Sequence, residues 1–284
     1  MSGVKFLTFP IEFLEDAFSD IQKVCDNILD YAIYVQSLKY EKNAESEFQA
    51  LEKAAEFYEI ELGNPRYSLS NGYSLYEEYG TKVAKASISK DIIFDFYRIK
   101  QPELKIAAFC AFCATKSILG AKTYCKTNKF LIHARMFGYN SVSNIKEKTS
   151  WSVLENKYFK RYNFDKIIKE LQYNWGMNMI SNRCRGFYIS YEIGLEELAL
   201  ISEKAKQKSK EQMLRLAKEE AIKKAMELVS KEENDPEKIN EFSSSKKATI
   251  QNQEPQKPPQ ENNAVLQFQE EKDELDDFLG FDEE

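Results

Sequence analysis

The chain has 284 residues, 43% of them hydrophobic, and its 19 Phe and 16 Tyr provide enough apolar surface for a sizeable core. The apolar runs are short and interrupted by charge, which argues against a membrane-spanning helix of roughly 20 residues. The N-terminus lacks a basic start followed by an apolar core, and the five cysteines are odd in number and scattered. We therefore expect a cytoplasmic protein with reduced thiols.

The net charge of −6 is divided very unevenly along the chain. Residues 101–190 hold 15 Lys and Arg against 5 Asp and Glu, a local excess of +10. Residues 1–100, 191–240 and 241–284 carry −6, −2 and −8. Because a polyanion responds to the local field, a pI of 5.3 does not argue against nucleic acid here.

The first hundred residues are predicted to form an acidic, mostly helical domain. A capping box at Ser19 and Gln22 should begin the second helix, and Gly63 should end the third. The predicted elements are helices 11–18, 20–38 and 44–62, a loop 66–82, a strand 83–88 and a helix 89–97. No motif here carries chemistry, so the segment is interpreted as a docking or dimerisation domain. A homodimer is among the expected assemblies.

Residues 101–190 are predicted to form a basic module of helices followed by a hairpin. Thr127 is the expected cap of its second helix, and Asn163 is the expected cap of its last helix. The predicted elements are helices 104–119, 128–137, 141–147, 151–159 and 163–175, and strands 177–181 and 186–190.

The helix 163–175 has two chemically distinct faces. Its apolar residues fall at helical spacing and predict a buried stripe: Phe164, Ile167, Ile168, Leu171 and Trp175. The opposite face offers side chains that can reach bases or phosphates: Lys166, Lys169, Gln172 and Tyr173.

Two patterns give this module a family resemblance. The segment from Ala134 to Gly138 is similar to the Ala-x-x-x-Gly core of helix-turn-helix units. A basic hairpin tip follows the amphipathic helix, as a wing would. Residues 104–190 therefore resemble the winged helix-turn-helix superfamily, which implies duplex DNA as a partner and 163–175, rather than 141–147, as the recognition helix. The DNA-binding residues that we expect are Arg161, Asn163, Lys166, Lys169, Gln172, Tyr173, Arg183 and Arg185.

Beyond the module, the sequence predicts a long charged helix within 191–239. Residues 240–263 are rich in Ser, Gln, Asn, Lys and Pro, a composition that is typical of disorder. The acidic end loosely resembles the Phe-containing tips of bacterial single-stranded-DNA-binding proteins and sliding-clamp peptides. Its apolar residues should bind a protein partner: Leu275, Phe278, Leu279 and Phe281.

Catalytic and cofactor signatures were sought without result. The single histidine, His133, lies mid-helix and is interpreted as a structural residue. Cys110 and Cys113 lie in an apolar helix, where cysteine acts as a small hydrophobe rather than as a zinc ligand. Phosphate-cradling glycine loops are missing from the sequence. We expect no enzyme activity, no metal and no cofactor.

Taken together, these patterns predict a mainly α-helical, non-enzymatic DNA-binding protein. Its predicted parts are an acidic helical domain (1–100), a winged-helix module (101–190), a long charged helix (191–239), and a disordered linker and acidic tail (240–284). This layout resembles replication, partition or regulatory proteins of plasmids and phages. The alternative is a structural or adaptor protein whose basic module docks an acidic protein partner.

Overall fold

The computed structural model describes residues 5–233 except 81, 82, 99, 147–150 and 182–185. The fold is mainly helical, as predicted. The elements are β1 (Phe6–Pro10), a 3-10 helix (Ile11–Asp16), α1 (Ile21–Ser37), a 3-10 helix (Glu41–Asn43), α2 (Glu47–Tyr58), α3 (Pro65–Tyr79), β2 (Lys85–Ser89), α4 (Lys90–Arg98), α5 (Glu103–Leu119), β3 (Tyr124–Thr127), α6 (Lys129–Met136), α7 (Val142–Lys146), α8 (Val153–Phe159), α9 (Arg161–Asn174), β4 (Asn178–Ser181), β5 (Phe187–Ser190) and α10 (Leu195–Glu233).

Helix α1 is confirmed, but its predicted cap was wrong. The carboxylate of Asp20 caps the helix by accepting a hydrogen bond from the Lys23 backbone N–H at 3.0 Å. The Ser19 hydroxyl instead donates to the Asp16 carbonyl, which belongs to the preceding turn. An aspartate at the first position of a helix satisfies an otherwise unpaired backbone donor, so the helix begins one residue after the acid.

The prediction of a loop over 66–82 was also wrong, because residues 65–79 form helix α3. The helix begins with Asn64 as its cap and Pro65 in its first turn, a combination that favours initiation. Helix α2 ends earlier than predicted, at Tyr58, where Glu59 adopts the left-handed conformation with φ 55°. The Gly, Ser and Tyr content of α3 suits its close packing against α1.

The N-terminal sheet pairs β1 with β2 in antiparallel register, from Phe6 opposite Ser89 to Pro10 opposite Lys85. Strand β2 lies near its predicted position, whereas β1 was not predicted. Leu7 and Phe9 are fully buried and alternate with exposed residues, so one face of the sheet faces the core.

The core runs without interruption from Leu7 to Ile189. Its centre is α5, whose residues 107–114 are all buried. Phe109 of this helix lies 4.5 Å from Phe96, measured between ring centroids, and Phe112 lies 4.7 Å from Trp175. Position 100 therefore marks a change of charge, while the hydrophobic core continues across it.

The second sheet has the strand order β3-β5-β4, with both pairs antiparallel. The hairpin of β4 and β5 lies where the sequence predicted it, and the added strand β3 ties it to the region before α6. Gly186 has a φ of 119°, and a Cβ there would lie 2.6 Å from the Thr127 carbonyl oxygen, so only glycine fits.

Two predicted caps in the basic module were wrong. The side chain of Asn128, rather than that of Thr127, caps α6 through the Leu131 N–H at 2.9 Å. Helix α9 begins at Arg161, so Asn163 lies inside it and does not cap it. Only Lys160, in an extended conformation, separates α8 from α9. The left-handed Gly138, with a φ of 82°, agrees with the predicted turn.

By compactness the chain divides into residues 1–217 and 218–284. The described part of the second unit, residues 218–233, belongs to the C-terminal part of α10. The predicted tail residues Leu275, Phe278, Leu279 and Phe281 lie outside the described residues. Within residues 5–233, as far as they are described, no helix has the length and apolar composition that a membrane crossing requires.

The contact of α3 with α1 gives a test of the fold. A Cβ at Gly72 would lie 2.6 Å from the Tyr34 Cβ and 2.7 Å from the Asp30 carbonyl oxygen. Gly72→Ala should therefore lower the free energy of unfolding by about 1–3 kcal/mol, as overpacked sites do. Urea unfolding measures this change. Gly63→Ala is the control, since a Cβ there meets nothing within 4 Å. Equal stability of the two variants would contradict this packing.

Candidate nucleic-acid interface

Helix α9 is held in place by its apolar side. Phe164, Ile167, Ile168 and Leu171 are buried as predicted, and the helix packs against α5. Trp175 follows the last turn and is partly buried against Phe112. This packing fixes the rotation of α9 about its own axis, and the opposite side consequently faces solvent.

The solvent side of α9 carries two tyrosines and two lysines at helical spacing. We call Tyr162, Lys166, Lys169 and Tyr173 the α9 face. Tyr162 is 70% exposed and Tyr173 is 82% exposed, which is unusual for large aromatic side chains. The Lys166 Nζ lies 4.2 Å from the centroid of the Tyr162 ring, within the range of a cation–π interaction. The face thus presents cations and flat apolar surface together.

The other predicted contact residues divide into three groups. Arg161 flanks the α9 face and is highly exposed, with its Nε 3.9 Å from Asp165, a surface pair that contributes little energy. Asn163 and Gln172 are only partly exposed. The Nδ2 of Asn163 donates to the Lys157 carbonyl at 2.8 Å, so this amide joins α8 to α9. The third group, Arg183 and Arg185, lies outside the described residues.

Sequence reasoning missed Tyr162 and the adjoining lysines of α8. Tyr162 stands four residues before Lys166 on the same face, a spacing that was available in the sequence. Lys157 and Lys160 are exposed immediately before α9. The Lys157 Nζ donates to the Glu103 carboxylate at 2.8 Å, and this pair lowers the pKa of Glu103.

Some of the basic residues in the module serve the interior. The Lys129 Nζ lies 4.3 Å from the Phe159 ring centroid, and burial lowers its pKa. Arg135 is half-buried and donates from Nη1 to the Ser117 hydroxyl at 2.8 Å. Burial also lowers the pKa of Arg135, partly offset by the nearby Glu12. The charge available at the surface therefore comes mainly from α8 and α9.

His133 is a core residue, in agreement with its structural interpretation. Its ring is fully buried, stacks 5.3 Å from the Trp151 ring and places Nε2 2.8 Å from the Glu155 carbonyl. Because a carbonyl only accepts, Nε2 carries the proton and donates it. Burial lowers the pKa of His133 to about 4, so the imidazole is neutral at physiological pH.

The thiols within the described residues are also buried. Burial raises the pKa of Cys25 to about 12 and that of Cys125 to about 11, and it raises the pKa of Cys110 and Cys113 as well. These cysteines are therefore protonated and unreactive in the folded state. The described residues contain no cluster of His, Cys, Asp and Glu that could hold a metal ion.

Comparison of the chain with protein-family models, with curated proteins and with solved structures finds no match.

The buried imidazole makes stability depend on pH. Since the folded-state pKa of His133 lies below its ordinary value, the unfolded chain binds the proton first as the pH falls. Stability from neutral His133 should be complete above about pH 6.5 and lost towards pH 4, at up to about 1.4 kcal/mol per unit. His133→Phe should flatten this part of the profile, measured by urea unfolding at several pH values. Parallel profiles for the two proteins would contradict it.

Proposed function

We propose that this chain is a non-enzymatic protein that binds duplex DNA through the α9 face, with residues 101–190 acting as a winged helix-turn-helix. The observation that carries the proposal is the composition of that face. Two lysines lie between two exposed tyrosines on a helix whose other side is locked into the core. Lysines neutralise phosphates, and tyrosines contact sugars and base edges.

The dimensions of the α9 face support the same function. Tyr162 and Tyr173 lie about 16 Å apart along the helix axis at 1.5 Å per residue. The major groove of B-DNA is about 12 Å wide and admits an α-helix. A helix of this length can place Lys166 and Lys169 within the groove while its ends reach the phosphates at both walls.

The order of elements also supports the winged-helix interpretation. The hairpin of β4 and β5 follows α9 directly, and its connection, residues 182–185, contains Arg183 and Arg185. We propose that these arginines contact the DNA backbone or minor groove beside α9. By the resemblance of layout, the process served is replication, partition or regulation, in a plasmid or phage. The acidic tail is proposed to recruit a protein partner through Leu275, Phe278, Leu279 and Phe281.

Salt dependence tests DNA binding by the full chain. The affinity for a labelled random duplex, measured by fluorescence anisotropy, should fall linearly with salt on logarithmic axes. The double variant Lys166→Ala/Lys169→Ala should bind more weakly, and its slope should be shallower by about 1.8, or 0.9 for each lost phosphate contact.

The control for this experiment removes the same charge elsewhere. Lys204 and Lys208 are exposed on α10, so Lys204→Ala/Lys208→Ala should leave the slope unchanged. Equal losses in the two double variants would mean that overall charge, rather than the α9 face, determines binding. A wild-type chain that does not bind duplex at low salt would favour the adaptor function, in which the basic module docks an acidic protein.

Sequence discrimination tests which helix enters the groove. With a preferred site selected from a random library, Lys169→Ala should reduce discrimination by about 1–3 kcal/mol, the range for one lost base contact. Asn163→Ala should leave discrimination unchanged, because the amide is bonded to the Lys157 carbonyl. If Asn144→Ala in α7 alters the preferred sequence and Lys169→Ala does not, α7 is the recognition helix.

A further inference from the structure

A cavity of about 290 Å³ lies among α1, the 3-10 helix Glu41–Asn43, α2 and α3, in the acidic part of the chain. Its walls include two tyrosine rings, Tyr34 and Tyr73, and the side chains of Glu41, Glu47 and Arg66. The volume is at the lower end of the range, on the order of 300–1,000 Å³, that small-molecule sites occupy. None of these residues belongs to the α9 face.

The two rings form an open aromatic corner. Their centroids lie 6.0 Å apart at an interplanar angle of 75°, an edge-to-face arrangement. Tyr34 is partly buried and also packs against Tyr76, whereas Tyr73 is 53% exposed. The face of an aromatic ring carries negative charge, so a corner of two rings attracts a cation placed within about 6 Å of the centroids.

The carboxylates add negative potential to this corner. Within the described part of the chain, the side chains of Glu41 and Glu47 make no hydrogen bond or ion pair. Their charge nevertheless reaches the phenol, because burial first and then Glu41 and Glu47 raise the pKa of Tyr34. Arg66 is the basic residue of the lining, and two carboxylates outnumber it. An anion would meet both the carboxylates and the ring faces, so the chemistry selects against it.

We propose that this cavity binds an alkylammonium group, the chemistry shared by a free quaternary amine and a methylated lysine side chain. The rings contact the N-methyl groups, and Glu41 and Glu47 provide the counter-charge. This site is separate from the proposed DNA contact, and each can fail without the other.

Choline and its neutral isostere 3,3-dimethyl-1-butanol are the probes, and ligand-observed NMR on the full chain is the measurement. Choline should bind, and the uncharged alcohol at equal concentration should not displace it, because only the cation gains from the rings and carboxylates. Tyr73→Leu should weaken choline binding about fivefold, which corresponds to about 1 kcal/mol. Glu47→Gln should weaken it as well.

Matched controls lie on the same helices. Tyr67 on α3 is 61% exposed and does not line the cavity, and Glu52 on α2 is likewise exposed and outside it. Tyr67→Leu and Glu52→Gln should bind choline like the wild type. All four positions are at the surface, and circular dichroism verifies that each variant is folded. Equal binding by all variants, or displacement of choline by the alcohol, would overturn the proposal.

A short peptide with one trimethyllysine separates the two sources of the ligand. Binding of the peptide at least tenfold tighter than choline, and sensitive to Tyr73→Leu, supports the site and assigns it to a methylated protein. Equal affinities support the site and assign it to a free amine. DNA affinity should be unchanged in Tyr73→Leu, so the outcome is independent of the α9 face.

Discussion

The complete burial of helix α5 is the constraint on which the fold of residues 1–217 depends. Residues 107–114 have no solvent-exposed side, so neighbours must cover the helix all round. Strand β2 covers it from the acidic segment, and α6, α9 and β3 cover it from the basic segment. The two oppositely charged segments consequently share one interior. The orientation of α9, and with it the basic surface, depends on a helix that makes no contact with solvent there.

Short-range patterns were the reliable part of the sequence. The apolar spacing of α1, α5 and α9 requires only neighbouring residues, and all three helices lie where they were predicted. Strands β1 and β3 were missed because each pairs with a strand more than sixty residues away. A strand of four or five residues has little pattern of its own, so distant partners determine whether it forms.

Helix α3 was missed for a different reason. Its Ser, Asn and Gly residues favour loops when local propensity is the sole criterion. Gly72 is used in α3 for close approach to α1, which tertiary packing rewards and propensity does not register. The tyrosines that suggested an irregular surface segment contact the aromatic residues of α1, as Tyr76 does with Tyr31 and Tyr34.

The candidate interface was predicted in its centre and less well at its edges. Lys166, Lys169 and Tyr173 followed from the face opposite the buried stripe, and the structure places them there. Asn163 was assigned to the interface because its helix was thought to start two residues later. A shift of two residues turns a helix by about 200°, so errors at helix ends misplace polar residues more than apolar ones. Counting charge also overstated the surface, since Lys129 and Arg135 are half-buried.

The burial of the cysteines gives this protein an internal gauge of its own opening. Cys25 lies in α1, Cys110 and Cys113 lie in α5, and Cys125 lies in β3. A thiol reacts as its thiolate, and these thiols become ionisable only when the surrounding packing separates. The rate at which an alkylating reagent modifies each one therefore reports how often its part of the core is exposed, without any added label. Damage by oxidants would be delayed in the same order, with the centre of α5 the last to react.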